Sequence, residues 1–353
     1  MKYFVLALAV VILAAGGIYL SFQKAPEGQV ISASANYDSL PSTTDGLISF
    51  VSNRDGNDEI YLTDSKGSFS RRITNTSENE TEPILSFSKS QIAFFSQGSD
   101  YTAIYLFALT TGEKKLLTIT RGIVYSMKFS PNGQRILFLE DFSKTEKTRD
   151  LYLINTQTSA IERVASGVQD YNWSSDSNGV VYTVNDSLKS ITDTKLLFRA
   201  IDEKERLLDE VALFQGGVAP VYFHSNKKVA FLDVTGEFLR LISTTSRGEN
   251  QQELFTIRIR PQESSFYFLD TNSDNSELLL TIYTEQILVE PLIISLKEQT
   301  VKRLELEANK LEWESGDTIV YSAEDQNGHS QIWVKENTNS EGHQLTSEMS
   351  NWF

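Results

Sequence analysis

"SMKFSPNGQRILFLE", from Ser126 to Glu140, contains the pattern that decides the fold. A short run ends in an aromatic residue, Phe129, and a Ser-Pro-Asn-Gly tetrapeptide separates it from a second run rich in Ile, Leu and Phe. Pro and Gly favour tight turns, and short apolar runs bounded by turn residues are typical of strands. The stretch therefore predicts two strands joined by a turn.

The same pattern recurs along the chain at spacings of 39 to 50 residues. The aromatic position falls at Phe87, Phe129, Trp173, Phe223, Phe268, Trp313 and Trp352. The second strand carries Ile48, Ile92, Ile136, Val180, Val229, Leu278 and Ile319. Two further apolar runs follow in each repeat, such as "DLYLIN" and "IERVA". Because such units bury their faces only against neighbours, the sequence predicts an all-β, seven-bladed β-propeller of four-stranded blades over residues 46–353.

A second stretch, "SFVSNRDGNDEIYLTDSKG" from Ser49 to Gly67, resembles the WD40-like repeat of the TolB-type β-propellers. The signature residues that carry this resemblance are Arg54, Asp55, Gly56, Tyr61, Ser130, Pro131 and Gly133. The resemblance implies a propeller fold but not the role of TolB itself. No α/β domain precedes the repeats as in TolB, and the repeats number seven where TolB has six.

The ends of the repeat region predict how the ring closes. The first repeat has no apolar strand before Leu47, whereas the chain ends in "SNWF", Ser350 to Phe353, which resembles the start of a repeat. The sequence predicts that this C-terminal strand, with Trp352, completes the first blade, because pairing the two ends removes two free strand edges.

The N-terminal segment predicts a membrane anchor. Tyr3 to Phe22 contains no charged residue, and about 20 apolar residues span a bilayer as a helix. We expect residues 1–22 to form one transmembrane helix or a signal peptide, and residues 23–45 to form a flexible linker. With Lys2 on the cytoplasmic side, the propeller would lie outside the cytoplasm. The alternative is a secreted or periplasmic protein.

The composition limits the partners. The net charge of −15 argues against nucleic-acid binding, because both molecules would be anionic. Cysteine is absent, which excludes disulfides and thiolate metal sites.

The acidic turn after the first apolar run raises the question of a metal site. Asn53, Asp55, Asn57 and Glu59 alternate as oxygen ligands do in calcium loops. In an EF-hand loop the Gly comes later relative to the ligands than Gly56 does here. A turn between two strands explains the Asp-Gly pair directly. We therefore predict a turn with no metal and no cofactor, and keep a cation site in the turn as the alternative.

The sequence contains few candidate catalytic groups. It has no G-x-S-x-G motif, and His224 is the one histidine that follows a channel-side aromatic residue. The paired acids Glu140–Asp141 and Glu324–Asp325 are expected at one face of the disc, as solvated loops or as a carboxylate site.

Two functions follow from these observations. The first is a non-enzymatic, membrane-anchored module that binds a protein, peptide or envelope polymer through one face of the propeller, with no catalytic residue. The second is a hydrolase or other enzyme that acts on a glycan or small ester through carboxylates at the channel mouth. The missing catalytic motif favours the first, since propeller loops bind many kinds of partner.

Overall fold

The structure is a computed structural model. It describes residues 10–14, 17–21, 38–44, 46–142, 149–185, 193–202, 204, 206–223, 227–258, 265–272, 275–284, 287–306, 308, 310–313, 318–337 and 340–346.

Seven antiparallel sheets, each of four strands that follow one another in the chain, form seven blades. Blade 1 contains β3 (Asp38–Thr44), β4 (Leu47–Ser52), β5 (Glu59–Asp64) and β6 (Ser70–Arg72). Blade 2 contains β7 (Asn79–Leu85), β8 (Gln91–Gln97), β9 (Thr102–Ala108) and β10 (Lys114–Thr120). Blade 3 contains β11 (Ile123–Phe129), β12 (Arg135–Asp141), β13 (Asp150–Asn155) and β14 (Ile161–Ala165). Blade 4 contains β15 (Val168–Trp173), β16 (Gly179–Val184), β17 (Lys195–Ile201) and β18 (Leu207–Gln215).

The remaining three blades repeat this plan. Blade 5 contains β19 (Gly217–Phe223), β20 (Lys228–Thr235), β21 (Phe238–Thr244) and β22 (Gln252–Arg258). Blade 6 contains β23 (Ser265–Thr271), β24 (Glu277–Thr284), β25 (Ile287–Ser295) and β26 (Thr300–Arg303). Blade 7 contains β27 (Lys310–Trp313), β28 (Ile319–Glu324), β29 (Ser330–Lys335) and β30 (His343–Gln344). The predicted seven-bladed propeller of four-stranded blades is confirmed.

The burial of each strand follows its place in the blade. The second strands are buried almost throughout, because neighbouring blades cover both of their faces, whereas the fourth strands are mostly exposed. Val181 and Phe231, from the second strands of blades 4 and 5, share one apolar cluster. The first strand of a blade contacts the first strands of its neighbours, as β19 contacts β15 and β23. The first strands therefore surround the axis of the ring.

The closure of the ring differs from the prediction. The inner strand of blade 1 is β3, which pairs with β4 and contacts three strands of blade 7. The sequence predicts a linker over residues 38–44 because "DSLPSTT" is polar and contains Pro41. The register of β3 shifts between Ser39 and Ser42, and a proline fits in such an irregularity because the ladder needs no donor there. The predicted closing strand, Ser350–Phe353, lies outside the described residues.

The contact between blades 1 and 7 closes the ring. Ile48 and Phe50 of blade 1 pack in one cluster with Val320 and Ile332 of blade 7. All four side chains are fully buried. Blade 1 thus joins blade 7 by side-by-side packing, as the other blades join their neighbours.

The N-terminal segment does not show the predicted transmembrane helix. β1 (Val10–Ala14) and β2 (Gly17–Ser21) pair as two antiparallel strands within it. Across the described ranges, no helix is long and apolar enough to cross a membrane. The rest of the segment 1–22 lies outside the described residues.

Candidate functional site

The inner strands of five blades carry an irregularity at a similar level. The register shifts between Ser39 and Ser42, Thr81 and Ile84, Tyr125 and Met127, Val168 and Asp170, and Val218 and Val221. Within these shifts, φ is +49° at Glu82, +39° at Ser126 and +50° at Ala219. Bulges redirect side chains, and non-glycine residues with positive φ are strained and cluster at functional sites. The channel wall is therefore the candidate functional surface.

Among the charged residues of the inner strands, six stand at two levels. The first level, one residue before the end of each strand, contains Lys128, Asp270 and Glu312. The second level, three residues before the end of each strand, contains Glu82, Asp170 and Lys310. Residues two apart in a strand point to the same side and are separated by about 6–7 Å. The six charges thus form two layers along the inner wall.

Interactions between distant blades place these side chains in the central channel. Asp270 belongs to blade 6 and Lys128 to blade 3, yet the ammonium of Lys128 acts on the pKa of Asp270. Glu82 of blade 2 interacts in the same way with Lys310 of blade 7. Blades 3 and 6 lie on opposite sides of the ring, so their side chains interact only across its axis.

Glu312 and Lys310 form an ion pair in the channel, and Glu312 also accepts a hydrogen bond from blade 1. Lys310 Nζ lies 3.2 Å from Glu312 Oε1, and the backbone N–H of Thr43 in blade 1 donates to Glu312 Oε2 at 3.2 Å. Burial lowers the pKa of Lys310, but Glu312 and Glu82 outweigh it and raise that pKa. Lys310 is therefore a firmly charged ammonium between two carboxyl groups.

Asp270 is the channel carboxyl group most suited to proton transfer near neutral pH. It keeps an exposed surface although protein atoms surround it, as expected for a side chain that lines a channel. Burial among these atoms raises the pKa of Asp270 to about 6, and Glu312 adds to the rise. Two groups oppose this rise in the pKa. The N–H of Thr271 donates to Asp270 Oδ1 at 2.8 Å, and the ammonium of Lys128 favours the charged carboxylate.

The pKa values of Glu82 and Asp170 are also raised. Burial raises the pKa of Glu82, with Lys310 opposing the rise and Glu312 adding to it. Burial likewise raises the pKa of Asp170, against the ammonium of Lys128. Lys128 is held in place because its Nζ donates to the carbonyl oxygen of Tyr171 at 2.9 Å.

A buried arginine lies where the channel strand β15 begins. The carbonyl oxygen of Arg149 accepts a hydrogen bond from the N–H of Val168 at 2.9 Å, and its Nη2 donates to Gln169 Oε1 at 3.2 Å. Its guanidinium lies 5.7 Å from the centre of the Tyr125 ring. Burial lowers the pKa of Arg149, while Asp141 and Asp170 oppose this change. The channel mouth at blades 3 and 4 therefore combines a guanidinium with two acids.

This arrangement suits general acid–base chemistry. A carboxyl group with a raised pKa donates a proton, and a carboxylate held by a cation accepts one. Asp270 and Glu312 stand at one level in adjacent blades and interact electrostatically.

The acidic turn of the first repeat is a turn in the structure. The N–H of Gly56 donates to the carbonyl oxygen of Asn53 at 2.9 Å, and φ is +108° at Gly56. Asp55 Oδ2 accepts a hydrogen bond from the Tyr61 hydroxyl and lies 3.0 Å from Arg72 Nη1. Among the described residues, no group of three or more His, Asp or Glu side chains is arranged to hold a metal ion.

The second signature turn also has a structural role. The N–H of Gly133, with a φ of +71°, donates to the carbonyl oxygen of Ser130 at 2.8 Å, and Pro131 lies within this turn. Lys89 and Ser177 repeat the positive φ at the same position in blades 2 and 4.

The aromatic signature residues recur at similar spacings in the sequence but differ in their burial and in their place in the strand. Trp173 and Trp313 end the inner strands β15 and β27 and are buried. Phe87 does not end its strand: β7 stops at Leu85, and Phe87 is 56% exposed in the turn. Trp352 lies outside the described residues.

Arg54 lies at the same turn, where its guanidinium is 4.8 Å from the centre of the Tyr61 ring. Arg54 is therefore part of the packing of this turn.

The acids proposed at the disc face have different surroundings. Glu140 is 4% exposed, and burial raises its pKa to about 7. Asp141 follows it at the channel mouth, on the end of β12. Asp325 holds its own turn, because its Oδ1 accepts hydrogen bonds from the N–H groups of Asn327 and His329 at 2.8 and 3.1 Å. His224 lies outside the described residues.

Sequence reasoning missed the six channel charges. They stand inside the runs that end each inner strand, such as "SMKF", "KLEW" and "FYFLD". A charged residue inside an apolar run is the available signal, whereas the repeat pattern is defined by apolar positions alone.

Comparison with known families gives one match. Residues 29–146 match the dipeptidyl peptidase IV N-terminal region, which is less than half of the chain. The sequences of curated proteins give no significant match. The TolB-type resemblance is therefore confirmed only as a propeller fold, since the family that matches is a different one.

Several solved structures share the fold. A puromycin-hydrolyzing peptidase from Mycobacterium tuberculosis is 12% identical with a TM-score of 0.64, over 90% of this chain and 53% of that one. Oligogalacturonate lyase from Vibrio parahaemolyticus is 11% identical with a TM-score of 0.62, over 85% and 90%. The propeller domain of the Trilobed protease from Pyrococcus furiosus, which has an open velcro topology, is 14% identical with a TM-score of 0.61, over 89% and 99%.

These comparisons contradict the prediction of a non-enzymatic binding module. The family that matches is a peptidase region, and the solved structures belong to peptidases and a lyase. The chain spans about half the length of the puromycin-hydrolyzing peptidase. At these identities the likeness shows the fold alone.

Proposed function

We propose that the protein is a hydrolase that cleaves a glycosidic bond in the central channel, with Asp270 as the general acid and Glu312 as the general base. The observation that carries the proposal is the pairing, at one level of the channel, of a carboxyl group whose pKa is about 6 with a carboxylate held by an ammonium. Glycoside hydrolysis uses two carboxyl groups in these two roles.

Each group has a defined task in this mechanism. Asp270 gives its proton to the leaving oxygen, and Glu312 takes a proton from the attacking water. Lys310 holds Glu312 in position by its contact at 3.2 Å. Lys128 stabilises Asp270 after it has lost its proton, because the ammonium favours the charged carboxylate.

The substrate class is tested with a panel of chromogenic glycosides and cell-envelope polysaccharides. Asp270→Asn and Glu312→Gln should each lower kcat/KM by about 10²-fold or more, as expected for loss of a general acid or base. Glu237→Gln is the matched control, because Glu237 pairs with Arg258 on the exposed rim of blade 5. Equal activity in all four proteins would refute the proposal.

Small esters are the second candidate substrate. A carboxylate base also activates water for attack on an ester, and this chemistry needs no protonated Asp270. Ester cleavage that survives Asp270→Asn but not Glu312→Gln would identify an esterase.

The cellular location is a separate proposal. The uncharged stretch from Tyr3 to Phe22 supports a propeller that lies outside the cytoplasm and is held at the membrane. Fractionation with protease treatment of intact cells tests this, and a propeller that stays protected until the cells are lysed would argue against it.

A further inference from the structure

Two fully buried glutamates meet between the first and second blades. Glu59 begins β5 in blade 1 and Glu80 lies in β7 of blade 2. Both residues are 0% exposed. Their carboxyl groups are within hydrogen-bonding reach of each other. Two acids in such a place are not explained by the channel site.

One oxygen of each carboxyl group has several donors. Glu59 Oε1 accepts from Arg72 Nη2 and from the N–H of Thr76, both at 2.8 Å. Glu80 Oε1 accepts from the hydroxyl groups of Thr76 at 2.6 Å and Ser96 at 3.0 Å. These contacts fix both side chains.

The other oxygen of each carboxyl group has no donor. Glu59 Oε2 and Glu80 Oε2 are both buried without a hydrogen-bond partner. An unsatisfied buried carboxylate oxygen is costly, and two anions in contact are more so. A single proton between the two carboxyl groups would satisfy both oxygens at once.

The surrounding charges favour one anion and not two. Arg72 is the cation that contacts the pair, and it is shared with Asp55, whose Oδ2 lies 3.0 Å from Arg72 Nη1. The other groups that face the two carboxyls are the neutral side chains of Asn57, Thr74, Thr76 and Ser96.

The two acids have opposite tendencies. Burial raises the pKa of Glu59, but the nearby Thr74 hydroxyl, the N–H of Thr76 and the guanidinium of Arg72 outweigh it and hold that pKa below its usual range. Burial raises the pKa of Glu80 to about 7 against the hydrogen bonds from Thr76 and Ser96, and Glu59 adds to the rise. Glu80 is thus the group that carries the proton.

We propose that Glu59 and Glu80 share one proton and act as a pH-sensitive latch between blades 1 and 2, which controls the position of Glu82 in the channel. With the proton, Glu80 donates to Glu59 and the blades are tied together. Without it, two carboxylates face each other and the contact loosens. The last step, an effect on the channel, rests on the proposed function.

The path from the latch to the channel is short. Glu80 and Glu82 belong to the same strand, and the register shift of β7 lies directly beyond Thr81. The N–H of Glu80 also donates to the carbonyl oxygen of Asp58 in blade 1 at 2.8 Å. Separation of the two carboxyl groups would therefore move the strained residue Glu82, whose φ is +49°.

The direction of the pH effect follows from the raised pKa. Glu80 binds its proton more tightly in the folded than in the unfolded protein. The stabilisation is therefore complete below the unfolded pKa of 4.5 and is lost as the pH rises through about 7. The latch is closed in mildly acidic and open in mildly alkaline solution.

Hydrogen exchange measured by mass spectrometry tests the latch without any substrate. On the full chain, protection of β5 and β7, corrected for intrinsic exchange, should fall about tenfold between pH 6 and pH 8. Glu80→Gln should abolish this fall, because its amide donates permanently to Glu59. Glu59→Gln should abolish it too, because its amide donates to Glu80 and removes the repulsion.

The control is Glu140→Gln, which removes a buried acid of blade 3 and should leave the fall in β5 and β7 unchanged. A fall that persists in Glu59→Gln would show that Glu80 titrates alone and would overturn the latch. A change of protection in the wild type on adding Ca²⁺ or a chelator would show that a cation occupies the pair, which also overturns it. The exchange measurement needs no substrate, so its outcome does not depend on whether the protein cleaves glycosides.

Discussion

Lys128 of the third blade and Asp270 of the sixth interact across the axis of the ring, and the ammonium holds the pKa of the carboxyl group lower than burial alone would. If Asp270 is the general acid, Lys128→Met should raise its pKa. The alkaline limb of the kcat/KM profile should then move to higher pH by about half a unit to one unit. A variant with lower activity but an unmoved limb would mean that Lys128 does not act through Asp270.

Glu82→Gly should stabilise the fold while it removes a channel charge. Glu82 has a φ of +49°, and glycine adopts this region without the strain of a side chain. We expect the free energy of unfolding to rise by about 1 kcal/mol in a denaturant titration. Thr81→Gly, in the same strand but without positive φ, should lower it by about 0.5–1 kcal/mol. A loss of stability in both variants would contradict the strain at Glu82.

Truncation before and after β3 tests the closure of the ring. A chain that begins at Asp38 keeps the strand that pairs with β4 and contacts blade 7, whereas one that begins at Asp45 loses it. The shorter chain should melt at a lower temperature and associate through the exposed edge of β4. Equal melting temperatures would mean that another segment fills the position of β3.

The turn at Gly56 gives a test of backbone conformation alone. With a φ of +108° and no atom within 4 Å of an added Cβ, Gly56→Val meets no clash but adopts a conformation that valine avoids. We expect a loss of about 1–3 kcal/mol in the free energy of unfolding. Asp55→Asn removes the half-exposed ion pair with Arg72 but keeps an oxygen that accepts from the Tyr61 hydroxyl, so it should cost at most about 1 kcal/mol. The reverse order of the two effects would contradict a structural turn.

The fold could be predicted because each repeat carries the same apolar second strand, which both neighbouring blades cover. Ile92 and Ile136, spaced by one repeat, are both fully buried. β3 was missed because its pairing partners, not its own apolar residues, make it a strand. The channel charges were missed for another reason: Lys128 and Asp270 belong to blades 3 and 6, and their side chains interact only across the axis of the closed ring.

Each blade here is built from one uninterrupted stretch of chain, including the first and the last. The described topology contains no blade that borrows a strand from the opposite terminus. An in-frame duplication or deletion of one repeat of the gene would therefore add or remove a whole blade and leave no strand unpaired. Recombination could therefore change the number of blades, and with it the diameter of the ring. In a propeller whose two termini share one blade, the same change would be harder.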